Sequence, residues 1–472
     1  MQKLPKKWLV VITVLLGTFT VILNNSLLNP ALPKFMEIFD ADAVSVSWIM
    51  TIFMLMTGMT LPVTGYLADR FGKKQVYLTG LGLFVVMSFF GSFSWNLSSI
   101  IFFRAMQGIA GGLMMPLSMA LIFDAFPKNE RGFATGVWGI ASMMAPTIGP
   151  TIGGFIIELG SWQWLFFMNF PTGLLCFLLG LKFLSSTKSD RSRRFDLIGF
   201  LTITAGIGCL LFGLGQIAAL EDLFSVLNLS LVMIGVLLIV IFVFYELRQK
   251  EPLLKLTVFT NSTYRNSVSI SSVQTMSLFS GVFLVPILIQ NVYGYSPIVT
   301  GLIFLPSGLF MGICVTVAGR ILDKRGAKGV VTTGLIITGL TSFLLGMLTL
   351  ESSLWIIFML MALRGIGLGL SNMPATTAGL NSISDNLVAQ GSAINNVVRR
   401  ISASLVIVMI SIYYEVRRAH LFLHGQSTEA GSLQAINELS ILLGLIVLLM
   451  IPLGLKLKKQ TNRRLAASAF YI

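Results

Sequence analysis

Fourteen runs of about twenty or more mostly apolar residues divide this chain, at roughly 8–32, 44–68, 75–94, 98–123, 131–157, 163–184, 197–218, 225–246, 264–291, 297–320, 329–350, 353–375, 392–414 and 438–456. A helix of that length crosses the hydrocarbon core of a bilayer. Lipid offers no partner to backbone amides, so only helices and closed barrels span it, and runs this long exclude barrel strands. The expected fold is therefore all-α and integral to the membrane. Composition agrees: 11% of the 472 residues are charged, against about 25% in soluble domains.

The charges are sorted by side. With the amino terminus inside, the inward segments hold 28 of the 33 Lys and Arg residues, among them Arg399 and Arg400, whereas the outward segments hold Lys34, Arg417 and Arg418. Such a bias sets orientation and implies an even number of spans with both ends cytoplasmic. It also accounts for the net charge of +14 without invoking nucleic acid. Lys3, Lys6 and Lys7 ahead of the first run resemble a signal peptide. The run continues past twenty residues with no small-residue cleavage site, so an uncleaved first helix is expected.

Several classes of function find no support. Cys176, Cys209 and Cys314 all lie in apolar runs, so neither a disulfide framework nor a Cys/His metal cluster is expected. His420 and His424 are four apart, with no third ligand near them. No GxxxxGK[ST] loop is present, which argues against ATP-driven transport. No cofactor, catalytic residue or metal site is expected.

One turn anchors the rest. Gly65 to Lys74, GYLADRFGKK, puts Asp69, Arg70, Lys73 and Lys74 between two apolar runs. Those charges must lie at a membrane surface. Gly319 to Lys328, GRILDKRGAK, repeats Gly65, Asp69 and Gly72 as Gly319, Asp323 and Gly326, with Arg325 beside them. This repeat predicts two six-helix halves, 1–184 and 256–472, separated by a polar linker and two accessory spans in 185–255. The first turn resembles the loop after the second helix of the major facilitator superfamily. Parallel halves around a central cavity are how that family is built.

Further motifs narrow the resemblance. Arg104, Gln107 and Gly108 match the family's RxxxQG pattern in the fourth helix, and Arg364 is the second-half counterpart. An arginine inside an apolar helix usually faces a cavity or a partner. By resemblance, Arg104 links proton and substrate binding. Pro146, Gly149, Pro150, Gly153 and Gly154 resemble the antiporter motif of the exporting branches. Trp162, Trp164, Phe166, Asn169, Pro171 and Gly173 then match the signature of the fourteen-span drug:proton antiporters of the QacA/EmrB type, with Gln163 in place of the usual Arg. GLIFLPSG (Gly301 to Gly308) and GSAINNVVRR (Gly391 to Arg400) also look like that branch.

The main departure is Asn24, which stands where that branch carries an acid in its first helix. An amide can hydrogen-bond a substrate and cannot carry a proton. No Asp or Glu is expected deep inside any span, so the proton-coupling candidates, besides Arg104, are the peripheral Glu158, Asp40, Asp42, Glu221 and Asp124. Asp124 is expected to partner the Asp69–Arg70 turn. Asn24, Asn25, Gln274, Asn372 and Asn395, with Met114, Met115, Met119, Met143 and Met144, are candidate contacts for varied apolar ligands. The packing alternative, in which those methionines face core or lipid, stays open. The stretch 415–437 reads as one long outward loop, with a partly helical form left open and its role unassigned.

The expected function is a multidrug exporter of a bacterial cell membrane, monomeric, exchanging amphiphilic drugs for protons by alternating access. The alternative is a dedicated exporter of one metabolite, lipid or antibiotic with the same fold.

Overall fold

Helix boundaries fall where capping side chains and glycines stand. Asn96 accepts from Ser99 N at 2.8 Å while Ser99 Oγ accepts from Asn96 N at 3.2 Å, a reciprocal cap that satisfies otherwise orphaned amides. Asp196, Asn261, Ser353 and Ser427 cap four other helices by accepting from first-turn amides, without the reciprocal bond. Gly72 and Gly326 both adopt positive φ, 92° and 86°. A side chain would strain that backbone, and both glycines are used in the same way at the two matching turns.

The structure, a computed structural model, describes residues 5–28, 31–41, 43–186, 195–217, 222, 224–249 and 251–457, and among these it is all-helical. The first half comprises α1 (Lys6–Leu27), α2 (Leu32–Phe39), α3 (Ala43–Phe71), α4 (Lys73–Gly91), α5 (Leu97–Ala125), α6 (Arg131–Leu159), α7 (Trp164–Phe167) and α8 (Asn169–Phe183). Two accessory helices follow, α9 (Leu197–Gly215) and α10 (Val226–Glu246). The second half comprises α11 (Ser262–Pro286), α12 (Pro297–Arg325), α13 (Ala327–Leu345), α14 (Leu354–Ser382), α15 (Val388–Leu423), α16 (Thr428–Leu448) and α17 (Ile451–Leu455). Among the described residues, thirteen helical stretches are long and apolar enough to cross a membrane. The 29-residue α6 is the fourteenth long helix.

Two boundaries differ from expectation. The stretch 415–437 takes its helical form: α15 runs to Leu423 and α16 begins at Thr428, which leaves only a short turn between them. Arg417 reaches Glu438 through two hydrogen bonds of 2.9 and 2.7 Å, and Arg418 meets Glu415 at 2.7 Å, so pairing lets both helices continue past the apolar limit. Arg399 and Arg400 also belong inside α15 and not at its inward end, and Arg399 Nε donates to Thr275 Oγ1 of α11 at 2.8 Å. Removing them from the inward count leaves the direction of the charge bias unchanged.

The halves pack along two seams, α6 against α12 and α3 against α15. Small residues make the first seam close. A Cβ on Gly136 would lie 2.8 Å from Val315 O and 2.9 Å from Thr316 Cα. With lipid as solvent, packing of this kind stands in for the hydrophobic drive of soluble proteins. The accessory pair α9–α10 lies over the second seam, with α9 against both α3 and α15.

Candidate functional site

Arg104 is the most constrained polar side chain of the first half. It is 0% exposed. Its Nε donates to Ile49 O at 3.0 Å and its Nη1 to Asn24 Oδ1 at 2.5 Å and Gln107 Oε1 at 3.0 Å. Its Nη2 donates to Asn25 Oδ1 at 3.0 Å. The guanidinium also lies over Phe53, 4.2 Å from the ring centroid, which favours a cation. Gln107 continues the network to Ser88 Oγ at 2.9 Å. Helices α1, α3, α4 and α5 are thus tied at one point. Every acceptor there is neutral, and among the described residues no carboxylate pairs with Arg104. Asn24 Nδ2 is buried without a partner, so the ring holds one unused donor beside an uncompensated charge.

The second half repeats the plan with less. Arg364 Nη2 donates to the Ser277 carbonyl and to Ser277 Oγ at 3.1 Å, and Nη1 donates to Ser342 Oγ at 3.3 Å. Gln274 Nε2 donates to Ser371 Oγ, and Asn395 Oδ1 accepts from Ser271 Oγ at 2.9 Å. Gln274 Oε1 and Asn372 Oδ1 are buried without partners. Unsatisfied buried polar atoms of this kind mark where a ligand or water can bind. Met114 lies in the first-half core, 1% exposed and packed beside Gly80, whereas Met115 is half-buried. The side chains of Met143 and Met144 lie outside the described residues.

The antiporter motif braces α1 just after Asn24 and Asn25. A Cβ on Gly149 or Gly153 would run into Ser26 or Leu27 of α1. The side chains of Pro146 and Pro150, and the surroundings of Gly154, lie outside the described residues.

At the end that carries the charged turns, hereafter the basic end, the halves are latched by polar contacts. Asp323 caps the start of α6, accepting from Gly132 N at 2.8 Å and Phe133 N at 2.7 Å. Carboxylates at a helix amino terminus are favoured by the helix dipole. Arg131 meets Asp385 at 3.0 Å. Thr135 and Thr377 share a hydrogen bond of 2.9 Å, and Arg320 lies over Phe133. Across the other seam, Gln390 Nε2 donates to Asp69 Oδ2 at 2.6 Å, and Gly65 packs on Gln390 Cα. Asp124 does join the first turn, through Lys73 at 2.7 and 2.8 Å and not through Asp69 or Arg70. The shift follows from Asp69 facing α15, while Arg70 turns to the Tyr66 hydroxyl at 2.5 Å. Arg325 is exposed. Arg131 and Gln390 carried no sequence signal as latch residues, because their partners are 254 and 321 positions away.

The peripheral acids are scattered. Glu158 is exposed at the far end of α6, and Asp40 is exposed in a left-handed turn with φ 46°. Asp42 and Glu221 lie outside the described residues. A different pair carries no sequence signal. Glu246, at the end of α10, is 3% exposed, and Asp196 starts the neighbouring α9. A linear reading cannot see that α9 and α10 fold back on each other.

The model of the Major Facilitator Superfamily matches residues 14–407. The chain is 32% identical over 406 residues to the uncharacterized MFS-type transporter YhcA of Bacillus subtilis, covering 86% of this chain and 76% of that one. It is 30% identical over 424 residues to the multidrug transporter protein MdtP of the same organism, covering 89% and 77%. Among solved structures, the human organic anion transporter MFSD10 superposes with a TM-score of 0.69 at 17% identity, covering 96% of this chain and all of that one.

Proposed function

The chain belongs to the major facilitator superfamily, a multi-pass family of transporters rather than enzymes, and from that premise we propose that it exports amphiphilic drugs in exchange for protons by alternating access. The observation that carries this reading is the latch at the basic end. It consists of a cap, an ion pair and hydrogen bonds between the two halves, added to the packing of their two seams. Contacts of about 1 kcal/mol each can be made and broken in a cycle. On this reading the halves are 1–184 and 256–472, the basic end is cytoplasmic with both termini on that side, and the conformation described has its cytoplasmic gate shut.

The resemblance to a multidrug transporter supports the choice of drugs as cargo. So does the mixture of half-buried Met115 and Asn25 with the unsatisfied amides of Gln274 and Asn372. Substrates are neutral, zwitterionic or singly charged, because no carboxylate stands beside Arg104 to select cations among the described residues. Arg104 senses ligand through Asn24 and Asn25. The proton is carried by a carboxyl elsewhere, since Asn24 has none.

Purified protein in proteoliposomes, given an imposed pH gradient and an amphiphilic dye, tests this. Gradient-dependent dye movement is expected. Movement insensitive to the gradient would defeat proton exchange, and a single accepted compound across a drug panel in a pump-deficient host would favour a dedicated exporter.

A further inference from the structure

Two acids meet where α9 begins and α10 ends. Asp196 Oδ1 is fully used: it accepts from Gly199 N at 2.8 Å and from the Tyr245 hydroxyl at 3.2 Å. Glu246 Oε1 is used as well, accepting from Leu254 N at 2.6 Å. The other oxygen of each acid, Asp196 Oδ2 and Glu246 Oε2, is buried with no partner. Both face the same point beside Gly199: a Cβ there would meet the two of them before any other side chain. Glu246 is 3% exposed, so water does not satisfy it.

Two buried carboxylate oxygens facing each other with no donor between them are repulsive, and sharing one proton removes the repulsion. The neighbouring groups supply no other remedy. From α10 the pair is faced by Tyr245, whose hydroxyl already donates to Asp196. Tyr66 of α3 meets Phe195, the neighbour of Asp196, with tilted rings 5.0 Å apart, and its hydroxyl accepts from Arg70. The strap after α10 brings Glu251 and Lys255, and α15 brings Gln390. Among the described residues no Lys or Arg forms an ion pair with either acid.

The strap ties the pair to the gate. Next to Leu254, whose amide is held by Glu246, Lys255 N donates to Gln390 Oε1 at 3.0 Å. Gln390 Nε2 donates in turn to Asp69 Oδ2 at 2.6 Å. Three hydrogen bonds therefore lead from the acid pair, through one strap and one amide side chain, to the first-half turn.

We propose that Asp196 and Glu246 form a proton-binding site in the accessory helices, one proton shared between two carboxyls, whose occupancy holds the Leu254–Gln390–Asp69 latch closed. With the proton bound, Glu246 stays buried and holds the strap. When the pair loses it, two negative charges repel, Glu246 leaves its place, and the strap no longer positions Gln390. The closed basic end is thus favoured at low pH and weakened as pH rises through the titration of the pair. The binding of the proton stands on this geometry alone, and only its place in a transport cycle rests on the drug–proton reading above.

The test uses the full chain in lipid. Infrared difference spectra across pH report protonated carboxyl directly, through a band that shifts in heavy water. Wild type should show one such titrating band, lost in Glu246→Gln and, independently, in Asp196→Asn. The gate is read by reaction of a maleimide with Thr377→Cys, introduced after Cys176, Cys209 and Cys314 are replaced, in inside-out vesicles. Relative to the same protein carrying Glu246→Gln, which mimics the protonated acid and keeps an acceptor for Leu254 N, labelling should rise about fivefold to tenfold from mildly acidic to mildly alkaline pH, the effect of one lost hydrogen bond. A band that survives both substitutions, or a labelling ratio flat across pH, overturns the proposal. Absence of gradient-driven drug transport with both signals present would instead defeat the transport reading and leave the site standing.

Discussion

Substituting Gly136→Ala should open the gate, and the size of the effect can be estimated. In the closed seam the new Cβ lies 2.8 Å from Val315 O and 2.9 Å from Thr316 Cα, where ordinary contact begins at 3.4 Å. Both obstacles are backbone atoms of α12, so no rotamer change relieves the clash, and α6 must back away by roughly 0.6 Å (3.4 less 2.8). Overpacking of this kind costs about 1–3 kcal/mol. The cost applies only while the seam is shut, because the two helices part when the gate opens. At a factor of ten for every 1.4 kcal/mol, the open population should rise by about 5-fold to 150-fold. Maleimide labelling of Thr377→Cys, which is 1% exposed in the closed seam, should accelerate by that factor. Gly301→Ala on α12 is the control, since nothing lies within 4 Å of its Cβ. Equal labelling rates in the two variants, both well folded by size-exclusion, would refute the claim that this seam is a moving interface.

The remaining expectations address the turns and the arginine ring. Asp323→Asn removes a charged cap from the Gly132 and Phe133 amides, and Asp69→Asn weakens the 2.6 Å bond from Gln390. Each should destabilise the closed state by about 1–2 kcal/mol and slow dye transport in proteoliposomes at unchanged expression. Arg104→Lys keeps the charge and loses the fork that holds Asn24, Asn25, Gln107 and Ile49 together. Its transport rate should fall at least about tenfold, and a wild-type rate would show that the ring only fills space. Asn24→Asp places a carboxylate 2.5 Å from Arg104 Nη1, so efflux of cationic dyes should rise relative to neutral ones, which paired dye-efflux assays in a pump-deficient host measure. A cysteine at Gln426, in the turn between α15 and α16, should react from outside intact cells, and labelling only after permeabilisation would invert the topology.

Much of this protein is set by its sequence alone, because lipid leaves so few options. A run such as Leu97 to Phe123 has one low-energy structure in hydrocarbon, and the Lys and Arg placement orients it. The paired turns at Asp69 and Asp323 were legible as a repeat, and the positive-φ glycines Gly72 and Gly326 occupy the same place in each. Arg104 was legible as well, because an arginine in an apolar helix demands an explanation. Its partners Asn24 and Asn25 were visible as polar residues in the first span, 80 and 79 positions away, though not as ligands of the guanidinium. Tertiary structure alone decided the rest. Asp69 reaches Gln390 across 321 positions, and Lys73, rather than Arg70, takes Asp124. Glu438 of α16 is paired with Arg417 of α15 across the turn between them. Glu246 reads as the last charge of an accessory span until α10 returns to α9 and buries it against Asp196. Hydropathy is a local property and fixes which segments enter the membrane, whereas the pairing of charges depends on which helices become neighbours, and that is settled only when all of them pack.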